Sequence, residues 1–204
     1  RNAGPWCEAH KTQDDPACTA IPGARPPQLS GVYPPEVQTD GFCDRLQEDS
    51  PAVLDPFHAA AMRDGALVAV PYNEMWPEDT AGIAAALTAA AEAAPASEAA
   101  LATYLRAAAK AFQDNDWFAA DAAWAAMNQR NSKWYVRVGP DETYWDPCNR
   151  HAGFHLTLAR VNAGGLFWQD KLDPVKQEME EALAALAGPP YVARTVGFEL
   201  PEFI

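Results

Sequence analysis

The hydrophobic and polar positions along the chain fall into three textures. Through residues 1–50 prolines recur (Pro5, Pro16, Pro22, Pro26, Pro27, Pro34 and Pro35). Each removes a backbone donor and restrains φ, so this stretch reads as an irregular arm without a long helix. Residues 51–62 place Val53, Leu54, Phe57 and Ala61 on one side of a short helix. Residues 66–70 form an apolar run of undecided type, and the pattern breaks between Pro71 and Pro77.

Three helices are predicted next. The first opens on Pro77, Glu78 and Asp79, a proline and two acids suited to a first turn, and continues through Ile83 and Leu87 to Pro95. The second takes Ser97 as its N-cap and sets Leu101, Tyr104, Leu105, Ala108 and Phe112 on one stripe. The third takes Asp116 as cap, with Trp117, Asp121, Trp124 and Asn128 on one face. From Ser132 the period changes. Residues 133–138, 153–161 and 191–200 alternate and are rich in aromatic and β-branched side chains, which predicts three strands. Between the last two, Asp173-Pro174 starts a helix bearing Val175, Met179, Leu183 and Leu186, stopped by Gly188-Pro189-Pro190. The expected class is α+β: a Pro/Cys-rich arm (1–50), an alanine-rich helical bundle (51–131), then a small, mostly antiparallel sheet with one packed helix (132–204).

Composition narrows the function. Against 15 Lys and Arg stand 28 Asp and Glu, a formal charge of −13. That balance repels phosphate backbones and anionic lipid, and no basic patch offsets it, which excludes nucleic-acid and anionic-membrane surfaces. No apolar run approaches the roughly 20 residues a spanning helix needs. Seven Trp, eight Phe and six Tyr mark a chain with a packed core.

Four cysteines, Cys7, Cys18, Cys43 and Cys148, allow three pairings, and none has the close spacing of a zinc-binding thiolate pair. Disulfides are the favoured reading, with Cys7–Cys18 as a local clip and Cys43–Cys148 tying the arm to the body; four separate thiols remain the alternative. Disulfides imply an oxidising compartment, so a secreted or periplasmic protein that has lost a signal peptide is expected. The first residue is Arg1 and the last Ile204, and the ends read as processed or truncated.

Candidate chemistry concentrates after the first strand, in Gly139-Pro140-Asp141-Glu142-Thr143-Tyr144-Trp145-Asp146-Pro147. Three carboxylates, Asp141, Glu142 and Asp146, lie there with one phenol, in the kind of loop that carries function. A carboxylate can hold a substrate cation such as a peptide N-terminus, and a tyrosine hydroxyl can donate to developing negative charge. In an extended segment Glu142 and Tyr144 share a face. The plain alternative is a solvated acidic turn. His151 and His155 are four apart, yet Gly153 and the apolar residues around them favour a strand and no third ligand is evident, so no metal site is assigned; His10 and His58 are isolated. Nucleophile elbows, phosphate-binding glycine loops and Cys-His constellations are missing from the sequence.

Residues 131–204 resemble the segment upstream of the zinc motif in the dipeptidyl peptidase III family of zinc exopeptidases. The pieces follow in order: Trp134, Gly139-Pro140, Glu142-Thr143-Tyr144, the Gly153-Phe154 strand, a long helix from about Trp168, and Leu200-Pro201-Glu202-Phe203. The resemblance implies that Glu142 holds the substrate's free α-amino group and that Tyr144 stabilises the tetrahedral intermediate; Asp141, from the acidic turn itself, is the second substrate-binding candidate. It also implies zinc as cofactor. The pattern departs from the family in two ways: Trp145-Asp146-Pro147-Cys148 replaces an aliphatic residue and glycine, and no His-Glu zinc helix occurs in these residues. The function expected is therefore the N-terminal portion of a secreted, zinc-dependent dipeptidyl peptidase-like enzyme. Its partners would be a peptide substrate and a zinc-bearing portion in the rest of the protein or in a second chain. The alternative is a non-catalytic secreted binding or assembly module on a degenerate peptidase scaffold.

Overall fold

A computed structural model describes residues 30–143 and 146–197. The order of elements is α1 (Phe42–Asp49), β1 (His58–Arg63), β2 (Ala66–Pro71), α2 (Tyr72–Met75), α3 (Pro77–Ala93), α4 (Ala99–Asp114), α5 (Phe118–Ala125), β3 (Trp134–Pro140), β4 (Phe154–Arg160), α6 (Ala163–Leu172) and α7 (Lys176–Ala187), with single 3-10 turns between several of them. The class is α+β, with two separate antiparallel two-stranded sheets.

The expected helix over 51–62 is replaced by a 3-10 turn, Pro51–Leu54, and a hairpin, β1–β2. Its alanines carry little strand propensity, so the decision comes from the two-residue turn. Asp64 and Gly65 both take positive φ (51° and 79°), the twist that suits a tight hairpin, and Arg63 pairs with Ala66 across it. The described part of the arm packs onto this hairpin: the Ala60 N–H donates to Val32 O (2.9 Å), and Tyr33 and Leu46 are buried with Val53 and Leu54.

The main core lies between α3, α4, α5 and β3. Buried Ala84, Ala91, Ala102, Ala108 and Ala109 leave room for close helix approach, while Leu101, Tyr104, Leu105 and Phe112 form the predicted α4 stripe. Ser97 does not cap α4. A 3-10 turn, Ala96–Glu98, precedes it, and the buried Glu98 carboxylate instead accepts from the Ser132 hydroxyl (2.7 Å) and the Lys133 N–H (3.1 Å). Glu98 thus anchors the start of β3. Asp116 does accept the Phe118 N–H (3.2 Å), but α5 ends at Ala125, short of Asn128.

The sheet β3–β4 rests on α4 through Val136 and Val138. Two elements differ from expectation in the C-terminal part. Helix α6 was hidden by Gly164-Gly165 and starts from an Asn162 cap that accepts the Gly164 N–H (2.9 Å). Residues 191–197 form no strand. Past Gly188 the chain runs back along α7, and side chains satisfy its backbone: Glu180 accepts the Arg194 N–H (3.0 Å) and Gln177 accepts the Val196 N–H (3.0 Å). The alternation there serves contact with a helix rather than with a sheet. Residues 198–200 of the expected strand lie outside the described residues. No described helix is long and apolar enough to cross a membrane.

Candidate functional site

Strand β3 delivers the acidic turn. Tyr104, buried in α4, accepts the Val138 N–H (2.8 Å) at its hydroxyl, which fixes the strand two residues before it ends. Gly139 then adopts φ +143° directly over Trp117, where an added Cβ would lie 2.6 Å from the indole ring. Only glycine allows the strand to pass so close. Trp117 is packed edge-on against Phe112 (4.9 Å between centroids) and cannot easily yield.

Beyond Pro140 the backbone keeps pairing with the strand opposite: the Asp141 N–H donates to Gly153 O (3.1 Å) and the Gly153 N–H to Glu142 O (2.9 Å). The two candidate carboxylates differ in surroundings. Asp141 accepts from Arg137 (Nη2–Oδ1 3.2 Å), whose Nη1 also reaches Asp121 Oδ1 (2.9 Å) and whose guanidinium lies 5.2 Å from the centre of the Trp124 ring. Its charge is already answered. The Glu142 carboxylate is exposed and has no hydrogen bond or ion pair among the described residues, while its backbone is pinned. Tyr144 and Trp145 lie outside the described residues, so the shared face of Glu142 and Tyr144 stays a sequence expectation.

The third carboxylate is not part of an open acidic surface. Asp146 is 4% exposed and closes the turn, donating its N–H to Thr143 O (3.0 Å). Its Oδ2 accepts from the Tyr33 hydroxyl (3.0 Å) and from the N–H groups of Cys148 (3.2 Å), Arg150 (2.9 Å) and His151 (3.3 Å). Burial by itself would raise its pKa; the imidazole of His151 close by and these backbone donors outweigh it and hold the carboxyl below the ordinary range. Tyr33 is pushed above its ordinary value, first by burial and then by the Asp146 charge. His151 is buried beside the carboxylate, Nδ1 3.5 Å from Asp146 Oδ1, and its Nε2 lies 2.8 Å from Val53 O. A carbonyl only accepts, so Nε2 carries the proton. The disulfide Cys43–Cys148 ties this turn to α1 as expected; Cys7 and Cys18 lie outside the described residues.

The histidines do not converge. His58 pairs with Asp55 (2.6 Å), His155 contacts Thr157 Oγ1 (2.5 Å), and His151 is committed to Val53 and Asp146; His10 lies outside the described residues. No three His, Cys, Asp or Glu side chains among the described residues could hold a metal. With its histidines engaged in this way, the described part of the chain does not fit a zinc centre. The residues that organise the turn were not visible as a group in the sequence. Arg137 carried a local signal, four positions before Asp141, but Tyr33 stands 113 residues from Asp146 and nothing nearby announces the contact.

No protein-family signature and no curated protein matches the chain. Solved structures do. Dipeptidyl peptidase III from Caldithrix abyssi is 30% identical with a TM-score of 0.68, over 87% of this chain and 33% of that one. Dipeptidyl peptidase III from Corallococcus sp. strain EGB is 26% identical with a TM-score of 0.65, over 88% of this chain and 33% of that one. The similarity therefore reaches well upstream of residues 131–204, and the chain spans about a third of the length of the structures it matches. In both sequence and fold, this chain is similar to one third of dipeptidyl peptidase III.

Proposed function

We propose that this chain supplies the substrate-amine side of a dipeptidyl peptidase III-like cleft. The observation that carries the reading is the fold match at 26–30% identity over nearly the whole chain, taken with Glu142-Thr143-Tyr144 at the end of β3. Glu142 holds the free α-amino group of a peptide: its backbone is fixed by Gly153 and its carboxylate has no competing partner among the described residues. Asp141, oriented by Arg137, adds a second negative edge to the same mouth. Tyr144 donates its hydroxyl to the oxyanion of the tetrahedral intermediate. Zinc ligands come from a part of the protein outside these residues. A secreted or periplasmic location is supported by the Cys43–Cys148 disulfide.

The test compares wild type with Glu142→Gln and Tyr144→Phe in the assembled protein, on a short peptide and on its N-acetylated form. Glu142→Gln should weaken binding of the free-amine peptide and leave the acetylated one unaffected, whereas Tyr144→Phe should lower turnover more than affinity. Equal affinity of wild type and Glu142→Gln for the free-amine peptide sinks the assignment. A second reading, a non-catalytic binding module, draws on one observation: Asp146 and Cys148 lock the segment that follows Glu-X-Tyr, where the family has an aliphatic residue and glycine. Peptide binding that depends on Glu142, without hydrolysis in the complete zinc-analysed gene product, would favour it.

A further inference from the structure

Among the described residues, every exposed large apolar side chain lies at Trp134 or later, except Met62, Ile83 and Phe118. Upstream these are single, scattered positions; downstream they cluster on one sheet and one helix pair. The sheet shows how. Leu158 is paired with Val136 and Leu156 with Val138, and directly opposed residues share a sheet face. The valines are buried in the α4 core, while Leu156 and Leu158 are 57% and 67% exposed. Helix α4 covers the valines and, through Phe112, Phe154 at the start of β4, and leaves Leu156 and Leu158 as an apolar edge.

Helix α7 repeats the pattern. Met179, Leu183 and Leu186 recur at helical spacing and stand open, and the buried residue of α7 is an acid, Glu180, held by Arg194 (2.9 Å) and by the Tyr191 hydroxyl (2.6 Å). Between α6, α7 and residues 194–196 runs a groove of about 660 Å³ with Leu172, Met179, Leu183 and Val196 in its walls. The charges at its rim are paired within the chain, Lys176 with Asp173 and Arg194 with Glu180. Apolar contact is what the groove offers. A stripe of this kind on a stable helix requires a cover.

We infer that the bare half of the β3–β4 sheet and the α6–α7 groove are the docking surface for the two thirds of a dipeptidyl peptidase III fold that has no counterpart in these residues. The inference rests on the functional reading above. The occupant follows from the match: the chain superposes over most of its length on a third of each relative, and most of its uncovered large apolar side chains, among the described residues, fall in the stretch from Trp134 onward. A second copy is the poorer occupant, because it would bring a further charge of −13 to the contact. The partner surface is apolar, presents side chains able to enter the Leu172–Leu183 groove, and can add a strand to the β4 edge.

The experiment places a photo-crosslinking residue in place of Leu158, Leu183 or, as control, Phe118, in the complete gene product assembled in its own host. Adducts from positions 158 and 183 should map to sequence carrying the peptidase's His-Glu zinc motif, with none from 118. Adducts joining two copies of this chain, adducts to unrelated sequence, or none at all with an unchanged circular dichroism spectrum would each overturn the inference. In parallel, Leu183→Asp should speed limited proteolysis of the complete gene product within residues 160–197 at least tenfold while Leu183→Met does not; equal cleavage rates count against the surface. Zinc-motif adducts with no effect of Glu142→Gln on peptide binding would leave the docking surface standing and remove the functional reading. The converse result would remove the surface alone.

Discussion

The Tyr33 hydroxyl donates to Asp146 Oδ2 at 3.0 Å, joining positions 113 residues apart in the sequence. Through this bond the described end of the N-terminal arm reaches the turn that carries Glu142. The same carboxylate oxygen gathers three backbone N–H groups, so Asp146 acts as the hub on which the turn closes.

Stability should fall at both ends of the pH scale through this pair. Asp146 has a lowered pKa in the folded state, so its contribution is complete above the unfolded carboxylate value of about 3.9 and is lost as pH falls through the folded one. Tyr33 has a raised pKa, so its contribution is complete below the unfolded value of about 10 and declines as pH rises beyond it. Urea melts across pH should show Asp146→Asn flattening the acid limb and Tyr33→Phe flattening the alkaline limb. At neutral pH Tyr33→Phe should cost about 1–2 kcal/mol, since Asp146 keeps its other donors. Unchanged limbs in both variants would show that the pair does not couple to folding.

The Cys43–Cys148 disulfide closes a separation of 105 residues, and chain-entropy arguments give such a loop up to about 4–5 kcal/mol. Reduction, or replacement of both cysteines by serine, should lower the melting temperature by an amount consistent with about 2–4 kcal/mol. Because Cys148 follows the candidate turn, peptide affinity should fall as well. Loss of stability with full peptide affinity would show that the staple serves the fold and not the site.

Two glycine substitutions should separate backbone strain from crowding. Gly65→Ala meets no atom within 4 Å and carries only the strain of φ +79°, about 1 kcal/mol. Gly139→Ala adds that strain to a 2.6 Å approach on Trp117 and should cost about 2–4 kcal/mol, with a change in tryptophan fluorescence. Denaturant midpoints for the two variants that coincide would contradict the close approach at Gly139.

Asp141 and Glu142 are neighbours but should not respond alike. Arg137 already answers Asp141, so Asp141→Asn should change the affinity for a free-amine peptide about threefold or less. Glu142→Gln removes an available carboxylate and should cost tenfold to about a hundredfold, the usual worth of a charge-assisted hydrogen bond. Calorimetric titration with one dipeptide ranks them. The reverse ranking would move the amine site to Asp141.

Much of the secondary structure was legible because its signals are local. The proline and acids at Pro77–Asp79 start α3, the Leu101–Phe112 stripe is the buried face of α4, and alternation marks β3 and β4. The hairpin β1–β2 was missed because its alanines read as helical, although Asp64-Gly65 carried the turn signal. Residues 191–197 alternate like a strand, yet Glu180 and Gln177 satisfy their backbone groups, and those partners lie on a helix.

The candidate site divides in the same way. Taken alone, the sequence determined the Glu142-Thr143-Tyr144 motif, its place after a strand, and the resemblance to a peptidase, because these depend on residue order over short spans. Tertiary structure decided which of the three acids is available. Asp146 is withdrawn by Tyr33 and His151, Asp141 is answered by Arg137, and Glu142 is left facing solvent. Charge and burial depend on neighbours brought from distant parts of the chain, and no spacing along the sequence records that distance.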